Sequence, residues 1–208
     1  MILIGQYDSP FVRRVGIAMR LYGIAYEHRP WSTFGDGEEV ARFNPLRRVP
    51  TLVLDDGEVL IESGAILDYL DESVGPERAL IPDQGDARRK ALKIAALGTG
   101  LGDKAVSLFY ERALHSATSE TWTNRCRMQI GAVLAALEAD RAARNSAYWF
   151  GDAMGHADIA VACALRFVSE AHPGVIDPAQ NPALSAHAEH CEATKPFREI
   201  YQQFIPPA

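Results

Sequence analysis

NPLRRVPTLVLDDGEVLIESGAILDYL, residues 44–70, holds two short apolar runs followed by a helical pattern, and that order decides the fold. Thr51-Leu52-Val53-Leu54 and Val59-Leu60-Ile61 read as strands joined by Asp55-Asp56-Gly57-Glu58. An Asp-Gly pair between apolar runs is a strong hairpin signal. A helix follows from Gly64 to about Val74, with Ala65, Leu67, Tyr69 and Leu70 among its apolar residues. Upstream, Asn44-Pro45 closes a short helix expected over Glu38–Phe43, because the residue before proline is pushed out of the helical region.

Further toward the N-terminus, Ile2-Leu3-Ile4 is a short apolar run, readable as a buried strand. Ser9-Pro10 is a helix start: the serine hydroxyl accepts an orphan N–H, and proline suits the first turn. Phe11, Val15, Ala18, Met19 and Tyr22 recur at helical spacing, and Gly23 closes the helix. Ile24–Arg29 alternates like a strand, parallel to the first by a right-handed crossover. The order β-α-β-α-β-β-α, with one parallel and one antiparallel half, is thioredoxin-like. Gly75–Gly85 reads as a linker. Beyond it only helices are expected, over 86–114, 119–144, about 155–170, 182–193 and 196–204. The chain is therefore read as an α/β thioredoxin-like domain over 1–76, a linker over 77–86 and an all-α domain over 87–208.

Bulk properties narrow the function. The 208 residues carry a net charge of −6, which disfavours nucleic acid and anionic membranes as partners. Arg13-Arg14, Arg47-Arg48 and Arg88-Arg89-Lys90 are short and separated, and most of them are read as solvated helix faces and loop rims. Three cysteines without a C-x-x-C pair indicate neither disulfides nor zinc and fit a reducing cytosol. The apolar start MILI is too short for a secretory signal, and no run reaches membrane-span length, so a soluble cytoplasmic protein is expected.

The chemistry concentrates in three places. Ser9 taken alone is a helix cap. Pro50, between Val49 and a strand, suits a cis bond that leaves the valine N–H and C=O unpaired and turned outward, able to bind an extended peptide. Glu62-Ser63 ends the last strand and starts a helix, whose free N–H groups suit a carboxylate, while Glu62 offers an acceptor to an ammonium. A ligand with an amino-acid head, a peptide middle and a thiol suits all three.

On these residues the chain resembles the cytosolic glutathione transferases. Ser9-Pro10-Phe11-Val12-Arg13-Arg14 resembles the "SPF..R" start of the serine-type classes, tau-like and bacterial. "NPLRRVPTL" resembles the family's N-P-x-x-x-V-P-x-L loop, "ESGAILDYL" its E-S-x-A-I-x-x-Y-L helix, and Gly155–Ala160 the capping motif of its buried sixth helix. The resemblance implies that Ser9 donates to the glutathione sulfur and that Val49 pairs with the cysteinyl unit beside Pro50. It further implies that Glu62 and Ser63 hold the γ-glutamyl end, with Arg48, and Arg47 beside it, near the glycyl carboxylate. Tyr7 is the alternative sulfur partner, since other classes use a tyrosine there. Phe11, Lys104 and Tyr110 are candidate lining for a second-substrate pocket, and Asp158 is structural.

Implied with these are a cytoplasmic homodimer, glutathione as co-substrate without metal or nucleotide, and a small apolar electrophile as second substrate in detoxification chemistry. Glutathione-dependent peroxidase or isomerase activity, or a non-catalytic glutathione-binding module, is the alternative. His187-x-x-His190-Cys191 could ligate a metal but reads better as an exposed or partly packed helix face. Gly98-Thr-Gly-Leu-Gly102 follows no strand and reads as close helix packing.

Overall fold

The computed structural model describes residues 1–206; the last two positions of the expected helical domain lie outside them. Strands β1 (Ile2–Ile4), β2 (Glu27–Arg29), β3 (Thr51–Val53) and β4 (Val59–Ile61) form one sheet in the order β2-β1-β3-β4. β1 runs parallel to β2, while β1–β3 and β3–β4 are antiparallel, with Ile2 opposite Glu27, Ile4 opposite Thr51 and Thr51 opposite Ile61. Helices α1 (Pro10–Tyr22), α2 (Gly37–Ala41) and α3 (Ser63–Val74) complete this thioredoxin-like half. Alternation along the strands sorts its two cores. Leu3 and Leu52 pack with Val12, Val15, Ile66 and Leu70 of α1 and α3. Ile4 and Val53 pack with Val40 of α2 on the other face.

The second half is all helix: α4 (Gly85–Leu114), α5 (Glu120–Ala142), α6 (His156–Ala171), α7 (Pro182–Glu192) and α8 (Lys195–Glu199). The buried α6 is its axis, packed on α4 and α7 and sharing a hydrophobic core with α5. Gly98 makes the α4–α6 approach possible, since a Cβ there would stand 2.9 Å from the Ala160 carbonyl carbon and the Val161 nitrogen. Asp158 fixes the start of α6 by accepting the Trp149 N–H at 2.7 Å and the Gly155 N–H at 2.8 Å. No helix among the described residues is long and apolar enough to cross a membrane.

Two joints weld the halves. In one, Ile17 of α1 packs with Ile159, Cys163, Phe197 and Ile200. In the other, Asp71 accepts from the Tyr22 hydroxyl, pairs with His156 Nε2 at 2.9 Å, and accepts the Leu80 N–H of the connecting segment at 3.2 Å.

Four expectations are corrected. The strand expected over Ile24–Arg29 begins only at Glu27, because β1 offers three residues to pair and the Ile24 N–H is spent on Met19 O in the α1 cap. The helix expected over 196–204 ends at Glu199: Arg13 takes the Ile200 carbonyl at 2.8 Å and the Phe197 carbonyl at 3.0 Å, drawing the chain away. Arg13 and Arg14 are buried instead of solvated, Arg13 in a bidentate pair with Glu192 at 2.5 and 2.7 Å. His187 is buried as well, edge-on to the Trp149 ring.

Candidate functional site

The turn between β1 and α1 delivers Ser9 to the seam of the two halves. Ser9 is extended (φ −67, ψ 124) and accepts the Val12 N–H through Oγ at 3.4 Å. That contact is long for a cap, so the hydroxyl is lightly held and its proton is free to point elsewhere. In front of it opens a cleft of about 670 Å³, lined by Ser9, Phe11, Arg47, Arg48 and Val49 from the first half and Tyr110 from α4.

The Val49–Pro50 peptide is cis. Neither the N–H nor the C=O of Val49 finds a hydrogen-bond partner among the described residues, although its side chain packs between the two sheet cores. The loop before it is held by Asn44, whose amide donates to Arg48 O at 2.8 Å and whose Oδ1 accepts the Leu46 N–H. Gly5 (φ 127) backs this loop; a Cβ there would lie 2.7 Å from Val49 Cβ, so only glycine fits.

Glu62 sits at φ 67, ψ 123, a backbone region that strongly favours glycine and that costs other residues about 1–3 kcal/mol. The strained turn points α3 so that the Ser63, Gly64 and Ala65 N–H groups begin the helix without intrahelical partners. Arg48 meets Glu62 at 3.1 Å, and both side chains are more than half exposed. Arg47, also at positive φ, pairs with Glu38 at 2.9 Å.

Tyr7 points elsewhere. Its hydroxyl lies 2.7 Å from that of Tyr26, and its ring stacks on His28 at 3.9 Å. Burial, then the Tyr26 hydrogen bond, pushes its phenol far above the ordinary value, and Tyr7 is not part of the cleft lining. Glu62, Ser63 and Pro50 also lie off that lining, whereas Ser9, Phe11, Arg47, Arg48, Val49 and Tyr110 share it. Lys104 is turned away, its ammonium 2.8 Å from Asp103 and over the Trp122 ring at 5.7 Å.

The wall also holds Phe34, Phe167 and Phe204, which sequence reasoning did not single out as lining. Phe204 meets Phe109 at 5.0 Å and Phe167 at 5.4 Å, and Phe34 meets the Tyr110 ring edge-on at 5.2 Å. The segment after α8 is tied across the cleft by Gln202, which accepts the Tyr7 N–H at 3.1 Å, and by the Ile205 N–H, which donates to Asp8 at 3.3 Å. Burial raises the Asp8 carboxyl, opposed by the N–H groups of Ile205 and Ser9. Adjacency to Ser9 was the one signal that could have found Asp8. Among the described residues, no group of three His, Cys, Asp or Glu side chains is placed to hold a metal ion.

Comparison with known proteins agrees with this fold. Residues 3–78 match the family described as "Glutathione S-transferase, N-terminal domain", and residues 120–190 match "Glutathione S-transferase, C-terminal domain". YibF, an uncharacterized GST-like protein of Escherichia coli K12, is 33% identical over 173 residues, spanning 81% of this chain and 82% of that protein. A glutathione S-transferase of Methylobacterium radiotolerans in complex with glutathione sulfonate has a TM-score of 0.90 at 28% identity, covering 100% of this chain and 98% of its own. Maleyl pyruvate isomerase, a bacterial glutathione S-transferase of the zeta class, has a TM-score of 0.79 at 28% identity, covering 96% of each chain. With a thioredoxin-like half, an all-helical half and both halves matched in order, the chain belongs to the glutathione S-transferase family, where transferases and isomerases share one fold.

Proposed function

We propose that the chain binds glutathione in this cleft and lowers its thiol pKa through Ser9, so that the thiolate attacks a small apolar electrophile. The observation that carries the reading is the contrast between two hydroxyls. That of Ser9 is lightly held at the positive end of α1 and opens on the cleft, while that of Tyr7 is spent on Tyr26. Ser9 acts electrostatically and needs no general base. The unpartnered main chain of Val49, beside Pro50, receives the cysteinyl unit as an added strand. Glu62, the Ser63 hydroxyl and the free N–H groups of α3 hold the γ-glutamyl ammonium and carboxylate, and Arg48 faces the glycyl carboxylate. The exposed Arg48–Glu62 pair is cheap to open. A zwitterionic peptide offers each of its members a new partner. The strained Glu62 is consistent with a binding role, since such backbone is retained where a site needs it.

Isomerisation on the same site is the second reading, favoured by the likeness to maleyl pyruvate isomerase; in this chain the glutathione thiolate would add to a cis double bond, the resulting single bond would rotate, and elimination would release glutathione and the trans product. A cytoplasmic homodimer, with the chain divided at 77–86, belongs to the same proposal. A panel of halo-aromatics, enals, epoxides, hydroperoxides and cis-enoic acids, each run with glutathione, separates the readings. Conjugation of halo-aromatics or enals supports the transferase, turnover of the cis acids alone supports the isomerase, and a flat response reduces the chain to a binding module.

A further inference from the structure

Charge is unevenly shared around the cleft. The basic side chains of its lining are Arg47 and Arg48, both on the loop before Val49. The acidic ones are Asp8 and Asp103, set among Phe34, Phe109, Tyr110 and Phe204. Asp103 is already neutralised by Lys104 at 2.8 Å. Asp8 is different. It is part-buried beside Ser9, its carboxylate accepts the backbone N–H of Ile205 at 3.3 Å, and no cation pairs with it among the described residues. Glu170, another acid, adds to the upward push on the Asp8 carboxyl and is itself occupied with Arg166 at 2.6 Å. A carboxylate has about four acceptor sites, so a single backbone donor leaves room for more. A desolvated carboxylate without a counter-charge rewards a ligand that brings a donor or a cation and penalises one that brings a second anion.

We infer that Asp8 is a specificity-determining residue, selecting aromatic electrophiles that carry an ammonium or another strong hydrogen-bond donor and rejecting those that carry a carboxylate. The inference rests on the reading that glutathione places its sulfur at Ser9, since that puts the electrophile against Asp8. It also separates this chain from an enzyme for maleyl-type acids, whose carboxylates would face Asp8.

Binding of stable conjugates tests this without requiring turnover. Calorimetry would compare S-benzylglutathione bearing a para-aminomethyl group, the unsubstituted parent and the para-carboxyl analogue, with bare glutathione as reference in each protein. The amine is expected to bind tightest and the acid weakest, with a spread of about tenfold, or 1.4 kcal/mol. In Asp8→Asn the spread is expected to shrink to within about twofold, because the amide keeps an acceptor for the Ile205 N–H and removes only the charge. Equal affinities in the unaltered protein, or an unchanged spread in Asp8→Asn, would overturn the role of Asp8. If Asp8→Asn does not fold, the order of the three conjugates on the unaltered chain still decides. Failure of bare glutathione to bind would instead remove the transferase reading, and this inference with it.

Discussion

Replacing Ser9 with alanine separates a structural role from a chemical one. The structural role is small: the cap contact to the Val12 N–H is 3.4 Å long, so its loss sits at the low end of cap deletions, about 0.5 kcal/mol. The chemical role is larger. A free thiol titrates near about 8.5, and lowering it by two units takes about 2.7 kcal/mol of preference for the thiolate. A hydroxyl donating to a thiolate supplies roughly 1.5–3 kcal/mol of this. The remainder comes from the dipole of α1, which the substitution leaves in place. Ser9→Ala is therefore expected to raise the pKa of bound glutathione by about one to two units, with little change in melting temperature. The assay is the ultraviolet absorbance of the thiolate, titrated with saturating glutathione, beside a thermal unfolding curve. A pKa that moves by less than a few tenths in Ser9→Ala but rises in Tyr7→Phe would refute the assignment. The paired Tyr7–Tyr26 hydroxyls at 2.7 Å predict the opposite.

Other consequences are equally direct. Glu62→Ala and Ser63→Ala should each weaken glutathione binding by roughly tenfold or more, as expected for losing a hydrogen bond to a charged group; calorimetric affinities equal to the parent would contradict the γ-glutamyl assignment. Burial, then the Arg141 charge, lowers His187 from 6.5 to about 4. The neutral ring is favoured in the fold, so its contribution is full above about pH 6.5 and declines toward pH 4, by about 3 kcal/mol in all. Denaturant unfolding across that window should show the loss, and His187→Gln should flatten it. Gly98→Ala should destabilise by about 1–3 kcal/mol, because the new methyl meets backbone of α6 at 2.9 Å. In α5, Gly131→Ala should stabilise by about 0.5–1 kcal/mol, since nothing lies within 4 Å of a Cβ there. Paired melting curves check both glycines.

The readable parts of the fold were those set by neighbours in sequence. Ser9-Pro10 and Gly23 bracket α1 by local capping, and Asp56-Gly57 sets the hairpin, so the succession of strands and helices along the first half followed from short-range pattern. Close packing at Gly98 was legible because the glycine-rich run Gly98–Gly102 sits inside a helical pattern and follows no strand, although within that run Gly100 meets nothing. What escaped depends on distant partners. Arg13 looks like a surface residue until Glu192, 179 positions away, is folded against it, and the same arginine cuts short the last helix. His187 is buried by Trp149 from another segment. Phe204 reads as one more helical apolar residue, yet it reaches the cleft because the chain after Ile200 leaves the helix and crosses back toward Asp8. Spacing placed Lys104 near the cleft on α4, but its side chain swings to Asp103 and Trp122. The residues proposed to hold glutathione drew on resemblance as much as on physics; Glu62 shows why, since no local pattern announces a residue held at φ 67.

A crystal structure of the chain soaked with glutathione tests the central claim most directly. The account predicts the sulfur within hydrogen-bonding reach of Ser9 Oγ, the cysteinyl main chain paired with that of Val49, and the γ-glutamyl carboxylate at the start of α3 beside Ser63. A sulfur seated at the Tyr7 hydroxyl, or glutathione bound outside the cleft lined by Ser9 and Val49, would contradict it.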